Sequence, residues 1–322
     1  MNRPMEYRTE RISGSNFSAF MEIIDASFKN QALDEAYFRR KFDTTYTGHA
    51  WLGYLAFDQE TNEPAAYYGV FPTLVSQNGE AFVAAQSGDT ATHPSHRGKG
   101  LFRMLHDLTM ELCREEGIAF IFGFPNQNSY PGFKKFNWSD RATAETLTRL
   151  VVVPLPVRVF RKFLPSSFAA FQKKSIRKRR MPNVTLDAIE ADRSLVAVCG
   201  QPMVIPRSRG YMVYKLALGS ELLKLKSGVA WVAFRGNQIV IGYLFGNDHQ
   251  KILEDLMGLA ARCGFDVLVL ATASERLRKL LVERDGFSIK SSNKLIINCL
   301  GKSISDEDLF FTSGDYDVFG SA

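Results

Sequence analysis

The sequence predicts an α/β protein with a mixed sheet, built as two similar units in tandem. Apolar residues recur with strand and helix spacing in both halves of the chain. In each half a nearly continuous apolar segment follows a helix, as expected for a strand inside a sheet that is covered on both faces. The two halves repeat these elements in the same order, which favours a duplicated fold. With 322 residues, the chain is long enough for two domains.

Each element of the first half is predicted from the spacing of its apolar residues and from turn residues at its ends. The predicted elements are a helix over 17–28, strands over 51–58, 64–74 and 80–92, a helix over 100–116 and a buried strand over 118–124.

The second half predicts a hairpin followed by helix, buried strand and helix. These elements span 229–234 and 238–245 for the hairpin, then 250–262, 265–270 and 275–283. The segment 264–269 follows its helix just as 117–122 does in the first half, and Ala230-Trp231 opens a hairpin much as Ala50-Trp51 does. Either match alone would be chance, but the two occur in the same order and with the same spacing to the next element, which is the basis of the predicted duplication.

Composition excludes several classes of protein. Hydrophobic residues make up 45% and charged residues 23% of the chain, which is typical of globular proteins and not of disordered or fibrous ones. No apolar stretch reaches the roughly 20 residues of a transmembrane helix, and the polar first residues do not resemble an export signal. The four cysteines are widely scattered, which disfavours a zinc site or a disulfide scaffold. We therefore expect a cytoplasmic protein without a bound metal.

The net charge of +6 arises in one local segment. Residues 151–182 contain nine Lys and Arg and no acid, so the rest of the chain carries a net charge of −3. Phenylalanines interleave with these charges, which predicts an amphipathic helix that connects the two halves. The basic residues could form a solvated face, contact an anionic ligand or acidic surface, or bind nucleic acid.

The clearest chemical signal is a glycine-containing loop between the long strand that ends at Thr92 and the following helix. Glycines let backbone N–H groups converge on one point, and the N-terminus of a helix adds unpaired donors. Arg97 and Lys99 bring two cations to the same place. The loop therefore predicts an anion site of diphosphate size, although it contains neither a Walker nor a Rossmann fingerprint.

This loop resembles the R-x-x-G-x-(G or A) fingerprint of the GNAT superfamily of acyl-CoA-dependent N-acyltransferases, which cradles the pyrophosphate of coenzyme A. Phe102 stands where the last small residue of that pattern is expected. The resemblance implies acyl-CoA as the co-substrate, with no metal. The residues that it assigns to coenzyme A in and before this loop are Ala91, Thr92, Arg97, Gly98, Lys99, Gly100, Leu101 and Phe102.

A second block, some thirty residues later, resembles the same superfamily. Its Asn is Asn126, Ser129 takes the place of the family's Ala, Phe133 that of its Tyr, and Asn137-Trp138 that of its Gly-Phe. The resemblance assigns Asn126, Ser129 and Phe133 to coenzyme A as well. In the second half, residues 246–249 place an acid before the helix, which implies a degenerate GNAT-like unit without coenzyme A.

The catalytic residues are predicted less directly. A phenyl ring at Phe133 cannot protonate a leaving thiolate, so Tyr130 is the candidate proton donor, or else contacts substrate or is structural. Asp89 is the candidate proton acceptor and substrate contact, or else a salt-bridged or exposed residue of the strand. Backbone N–H groups near Ala91 or Thr92 are expected to stabilise the oxyanion.

The aromatic C-terminal tail is expected to pack on the body of the protein, where Asp315 and Asp317 could bind substrate or remain solvated. We predict a coenzyme A-binding unit over 1–150, a basic linker over 151–182, a degenerate unit over 183–300 and a docked tail over 301–322.

The predicted activity is transfer of an acyl group, acetyl or a short hydroxyacyl, from acyl-CoA to a primary amine. A narrower resemblance, to tandem GNAT enzymes of surface-polysaccharide synthesis, implies that the acceptor is a nucleotide-linked amino-deoxysugar. The alternatives are a non-catalytic acyl-CoA-binding protein, or a GNAT acetyltransferase that acts on another small amine or on a protein amine.

Overall fold

The structure is a computed structural model, and it describes residues 6–28, 34–181, 189, 203–300 and 309–316. The chain forms two compact units that interleave along the sequence. Unit 1 comprises the described residues within Met1–Val75, Ala81–Arg141 and Leu295–Asp306. Unit 2 comprises those within Ser76–Glu80, Ala142–Lys294 and Glu307–Ala322. The units therefore differ from the predicted linear ranges, because residues 142–150 belong to unit 2 and residues 295–300 to unit 1.

The sheet of unit 1 has mixed strand directions. Its strands, in spatial order, are β1 (Tyr7–Arg11), β2 (Leu52–Asp58), β3 (Pro64–Gln77), β4 (Glu80–Thr92), β5 (Phe120–Gly123) and the last residues of β12 (Ser288–Cys299). Neighbours β1, β2 and β3 are antiparallel, β4 and β5 are parallel, and β12 returns antiparallel to β5.

Among the residues that the structure describes, four α-helices belong to unit 1. They are α1 (Phe17–Ser27), α2 (Glu35–Phe42), α3 (Leu101–Glu115) and the short α4 (Tyr130–Lys135). Helix α3 buries Leu101, Leu105 and Met110 against β2 and β3 residues, and it leaves its charged face to solvent. Asp34 is the N-cap residue of helix α2. Its carboxylate accepts a hydrogen bond from the N–H of Tyr37 (2.6 Å), a common N-cap arrangement.

Unit 2 also combines strands of mixed direction with helices. Its strands in spatial order are β6 (Ser139–Leu150), β11 (Val267–Thr272), β10 (Gln238–Phe245), β9 (Val229–Arg235) and β8 (Glu221–Lys224), and the short strands β7 (Met203–Val204) and β13 (Leu309–Phe310) pair with each other. Strands β10 and β11 are parallel, as β4 and β5 are in unit 1. The helices are α5 (Leu155–Phe163), α6 (Pro165–Arg177), α7 (Arg209–Ala217), α8 (His249–Cys263) and α9 (Glu275–Glu283).

The predicted fold class is confirmed, and every strand and helix predicted from spacing is present within a few residues of its predicted bounds. The strand over 80–92, the strand over 238–245 and the helix over 275–283 begin and end as predicted. The prediction missed several elements, among them β6 and β12, which are long, polar and exposed along much of their length, so that they lack the apolar alternation of a half-buried strand.

Candidate functional site

The predicted anion loop connects the end of β4 at Thr92 with the start of α3 at Leu101. A turn of 3-10 helix over Pro94–His96 follows β4, and Gly100 is the N-cap residue of α3. Gly98 and Gly100 have φ values of 77° and 80°, in the left-handed region that favours glycine. A Cβ at either position would have nothing within 4 Å, so the space in front of the helix is open. Because the first turn of a helix leaves N–H groups without intrahelical acceptors, this loop can receive an anion.

Positive charge surrounds this opening. The side chains of Arg97 and Lys99 are exposed, and the Lys99 ammonium lies 5.7 Å from the centre of the Tyr7 ring. A hydrogen bond with Tyr7 raises the pKa of Lys99, which keeps the ammonium charged. Sequence reasoning missed Tyr7, which also bonds to the buried His96 (Tyr7 Oη to Nδ1, 2.9 Å). His96 therefore supports the loop from inside the fold, and the loop fits a diphosphate through its amides and two cations.

Strand β4 runs past the end of its parallel neighbour. The two strands pair at Ala85–Ile121 and Gln86–Phe122, then β5 ends at Gly123 whereas β4 continues to Thr92. The four consecutive residues 87–90 are all half-buried, whereas a regular strand alternates between buried and exposed residues. Within this stretch, Asp89 has a φ of 52°. An irregular stretch of this kind turns backbone groups away from the sheet ladder. The part of β4 between the paired residues and the anion loop is therefore the place where an extended acyl thioester can lie.

Asp89 is ion-paired. Its carboxylate lies 2.6 Å from the ammonium of Lys41 on α2, and the Lys41 side chain is only 1% exposed, whereas that of Asp89 is 16% exposed. Burial and the negative charge of Asp89 raise the pKa of the neighbouring Tyr67 well above its ordinary value, as expected in a desolvated region. Asp89 is thus salt-bridged, which was one of the alternatives for this residue. Part of its carboxylate remains accessible to solvent. Sequence reasoning missed Lys41, because a cation within a short amphipathic helix carries no local signal of burial.

The second predicted block forms a tight turn before α4. Asn126 Oδ1 accepts hydrogen bonds from the N–H groups of Asn128 (2.9 Å) and Ser129 (3.0 Å), and the Asn126 carbonyl accepts one from Tyr130 N–H (3.0 Å). Asn126 is exposed beside this turn, and Ser129 is half-buried. Asn137 has a φ of 63° where the family pattern has glycine. The backbone therefore takes the conformation that the resemblance implies.

Phe133 and Phe102 pack on one another with ring centres 5.4 Å apart, and Phe133 also contacts Trp138. Phe133 is buried in the apolar core of unit 1, and Phe102 is half-buried at its edge. A Cβ on Gly132 would lie 2.7 Å from the Phe102 ring, so the absence of a side chain there makes room for the large residue in the fingerprint. The large residue at position 102 is thus compensated by the small one at position 132. The sequence alone does not show this compensation, because it depends on the contact between the two blocks.

The Tyr130 hydroxyl donates a hydrogen bond to the carboxylate of Asp140. The two carboxylate oxygens lie 2.8 and 3.1 Å from Tyr130 Oη, and Lys134 bonds to the same carboxylate at 3.3 Å. The hydrogen bond to Asp140 raises the pKa of Tyr130, which makes the phenol a poorer proton donor. Its ring remains half-exposed and available for contact with a substrate.

Asp315 lies in unit 2 with its carboxylate fully buried. It pairs with the buried Arg207 (2.7 Å) and accepts hydrogen bonds from Tyr211 Oη (3.0 Å) and from Thr312 N–H (2.8 Å). The role that this geometry supports is structural, because the carboxylate anchors the docked segment 309–316 and has no exposed side for a substrate. Asp317 lies outside the described residues.

The part of the chain that the structure describes contains no group of three or more His, Cys, Asp and Glu side chains that could hold a metal ion. Within the same residues, no helix is both long and apolar enough to cross a membrane.

Part of the chain is similar to a known family of domains. Residues 8–140 match the family model described as "Acetyltransferase (GNAT) domain". No curated protein sequence matches the chain.

Solved structures share the fold over most of the chain. A GCN5-related N-acetyltransferase from Kribbella flavida aligns at 13% identity with a TM-score of 0.59, covering 91% of this chain and 72% of that one. A GCN5-related N-acetyltransferase from Anabaena variabilis aligns at 11% identity with a TM-score of 0.57, covering 92% and 73%. A protein from Pyrococcus horikoshii aligns at 13% identity with a TM-score of 0.58, covering 99% and 95%. At these identities the likeness concerns the fold, and it extends over both units.

Proposed function

We propose that unit 1 transfers an acyl group from acyl-CoA to a primary amine. The observation that carries the proposal is the continuous track formed by the end of β4 and the open anion loop before α3. Gly98, Gly100 and the first N–H groups of α3 would hold the diphosphate, with Arg97 and Lys99 as counter-charges. Coenzyme A would supply the acyl group as an activated thioester.

The proposed reaction is a direct displacement. The amine nitrogen attacks the thioester carbonyl carbon, the C–S bond breaks, and the sulfur leaves as a thiolate. Backbone N–H groups near Ala91 and Thr92 would stabilise the oxyanion, and Asp89 would accept the proton that the nitrogen loses. The Tyr130 hydroxyl is engaged in a hydrogen bond to Asp140, so we propose that the thiolate leaves without a dedicated acid and that the Tyr130 ring contacts the acceptor.

A covalent acyl-enzyme is not part of this mechanism. Burial raises the pKa of the Cys113 thiol to about 12, so that it is neutral at physiological pH and a weak nucleophile. A ternary complex predicts intersecting lines in two-substrate initial-rate plots, and parallel lines would instead indicate acyl transfer through the enzyme.

Substitution in the anion loop tests the assignment of coenzyme A. Gly100→Asp places a carboxylate in the open space before α3, and we expect coenzyme A binding to weaken by about 2 kcal/mol or more, roughly thirtyfold in Kd. Gly236→Asp is a matched control in unit 2, since Gly236 also has a positive φ (54°) and open space around its Cβ. An unchanged Kd for coenzyme A in Gly100→Asp, measured by calorimetry, would remove the basis of the proposal.

The acceptor that we propose is a nucleotide-linked amino-deoxysugar, and the sequence resemblance alone supports this finer assignment. A panel of a nucleotide-linked amino sugar, an aminoglycoside and a lysine peptide, assayed with acetyl-CoA and longer acyl-CoAs by release of free thiol, would identify the acceptor class. The second candidate is a non-catalytic acyl-CoA-binding protein. It is favoured by Phe133, which is buried in the core and cannot donate a proton. Tight binding of acyl-CoA without turnover on any amine would support this second candidate.

A further inference from the structure

The basic segment of unit 2 contains a helix, α5, with two separate apolar faces. Its inner face carries Val157, Phe160 and Arg161, spaced as neighbours on a helix. Phe160 packs edge-on against Phe168 of α6 (5.6 Å between ring centres), and the Arg161 guanidinium donates hydrogen bonds to the Gly264 carbonyl (2.8 Å) and to Asp266 (2.9 Å). These contacts fix the orientation of the helix, so its opposite face is exposed to solvent.

That outer face is also apolar. Leu155, Val159 and Phe163 follow one another at intervals of four residues and form a single stripe, and they are between 46% and 72% exposed. Val152 before the helix and Leu164 after it are exposed as well, at 89% and 57%. Seven of the ten exposed large hydrophobic side chains among the described residues lie within 150–171. Such a concentration marks an interaction surface, because single exposed apolar residues are normally scattered.

Cations border this stripe and continue along α6. Arg158 and Lys162 lie one turn apart at the edge of the stripe, and both are exposed. Of the nine basic residues in the segment, Arg161 and Arg180 pair with Asp266 and Glu221. The structure gives the other seven no ion-pair partner among the residues it describes, and their side chains are exposed: Arg158, Lys162, Lys173, Lys174, Arg177, Lys178 and Arg179.

We propose that α5 and the adjoining cations dock on the surface of a bilayer that contains anionic phospholipids. Helix α5 would lie in the plane of the interface, with its apolar stripe in the headgroup–acyl boundary and Arg158 and Lys162 among the phosphates. Its nine residues measure about 14 Å, which suits a helix that lies on a membrane and is too short to span one. The proposal is independent of acyl transfer in unit 1.

Charge complementarity selects this occupant over others. A second copy of the chain, docked through the same stripe about a two-fold axis, would bring the cations at its edge, Arg158 and Lys162, against a patch of like charge. A nucleic acid would satisfy the cations but would leave the apolar stripe in water. An anionic bilayer satisfies both features at once, because it offers phosphates and apolar volume at adjacent depths.

Co-sedimentation of the full chain with vesicles tests the proposal. We expect binding to vesicles of phosphatidylcholine with phosphatidylglycerol, and weak binding to phosphatidylcholine alone. The double variant Leu155→Gln/Phe163→Gln should lower the partition coefficient by roughly tenfold or more, since each change removes an apolar side chain from the interface. The double variant Arg158→Gln/Lys162→Gln should lower it about tenfold at low salt and much less at high salt.

Matched controls lie elsewhere in unit 2. Val213→Gln removes an exposed apolar side chain from α7, Lys224→Gln removes an exposed cation from β8, and both should leave vesicle binding unchanged. All the changed side chains are exposed, so melting temperatures should stay close to that of the unchanged chain. Equal binding to both kinds of vesicle, or retention of binding in Leu155→Gln/Phe163→Gln, would overturn the proposal. So would a dimer that light scattering detects and that the same double variant dissociates. The acyl-transfer assay with water-soluble substrates should be unaffected in every variant, which separates this test from that of unit 1.

Discussion

The ion pair between Asp89 and Lys41 permits a test that separates a catalytic role of the carboxylate from a structural one. Asp89→Asn removes the charge that compensates a Lys41 side chain of 1% exposure. Removing one partner of a buried pair costs about 3–5 kcal/mol, and we expect the low end, about 3 kcal/mol, because Asp89 is 16% exposed. Urea denaturation measures this loss as a fall in the midpoint at constant slope.

A double-variant cycle completes the design. Lys41→Met leaves the Asp89 carboxylate with access to water through its exposed side, so its cost in free energy of unfolding should be smaller than that of Asp89→Asn. The double variant Lys41→Met/Asp89→Asn removes both charges of this ion pair, and we expect it to recover about 2 kcal/mol relative to the sum of the single changes.

Activity then gives the decisive comparison. If Asp89 accepts the proton, both Asp89→Asn and the double variant lose roughly 10²-fold in kcat, while the Kd for coenzyme A stays the same. Lys41→Met should retain most of its activity, because the carboxylate is still present. Recovery of kcat in the stabilised double variant would refute the catalytic role and leave Asp89 as a structural residue of β4.

Three further predictions concern groups outside this pair. Burial lowers the pKa of His106, whose Nε2 accepts a hydrogen bond from the Trp138 indole N–H (3.0 Å). Below about pH 6.5 the unfolded chain therefore binds a proton at this residue more readily than the folded protein does. The free energy of unfolding should fall as the pH drops through about 6.5. Melting curves at several pH values should show this fall, and His106→Gln should flatten it. Alkylation at pH 8 with mass-spectrometric detection should label the exposed Cys299 and spare Cys113, whose raised pKa and burial keep it protonated and inaccessible; rapid labelling of Cys113 in the folded protein would contradict the direct-displacement mechanism. Asn137→Ala should destabilise unit 1 by about 1 kcal/mol because Asn137 has a φ of 63°, whereas Asn137→Gly should not; equal denaturation midpoints for the two variants would show that the left-handed conformation carries no cost.

The backbone of the loop before α3 could be predicted from the sequence because its signal is local. Gly98 and Gly100 lie two residues apart between a strand and a helix, and both take the left-handed conformation that favours glycine. The left-handed conformation of Asn137 is equally local, since the family pattern has glycine there.

The partners of the candidate catalytic residues could not be predicted in the same way. Lys41 lies 48 positions from Asp89, and its side chain becomes buried only when α2 packs against β4. Asp140 belongs to a polar, exposed part of β6, where nothing in the sequence marks it as the partner of Tyr130. Asp315 was interpreted from its charge as a candidate contact for a substrate. Its structural role depends on Arg207, which lies 108 residues away in the sequence.

The return of β12 to the sheet of unit 1 bears on how the chain can fold during synthesis. Gly123 of β5 pairs with Ile296, so the edge of the first sheet stays open until the ribosome has added some 170 further residues. At typical rates of 5–20 residues per second this interval lasts on the order of 10–30 s. During that time β5, whose four residues are all buried in the finished fold, presents an unpaired apolar edge. A nascent chain of this protein is therefore an expected client for chaperones that shield such edges, and a fragment that ends before residue 295 should aggregate even though it contains the whole anion loop.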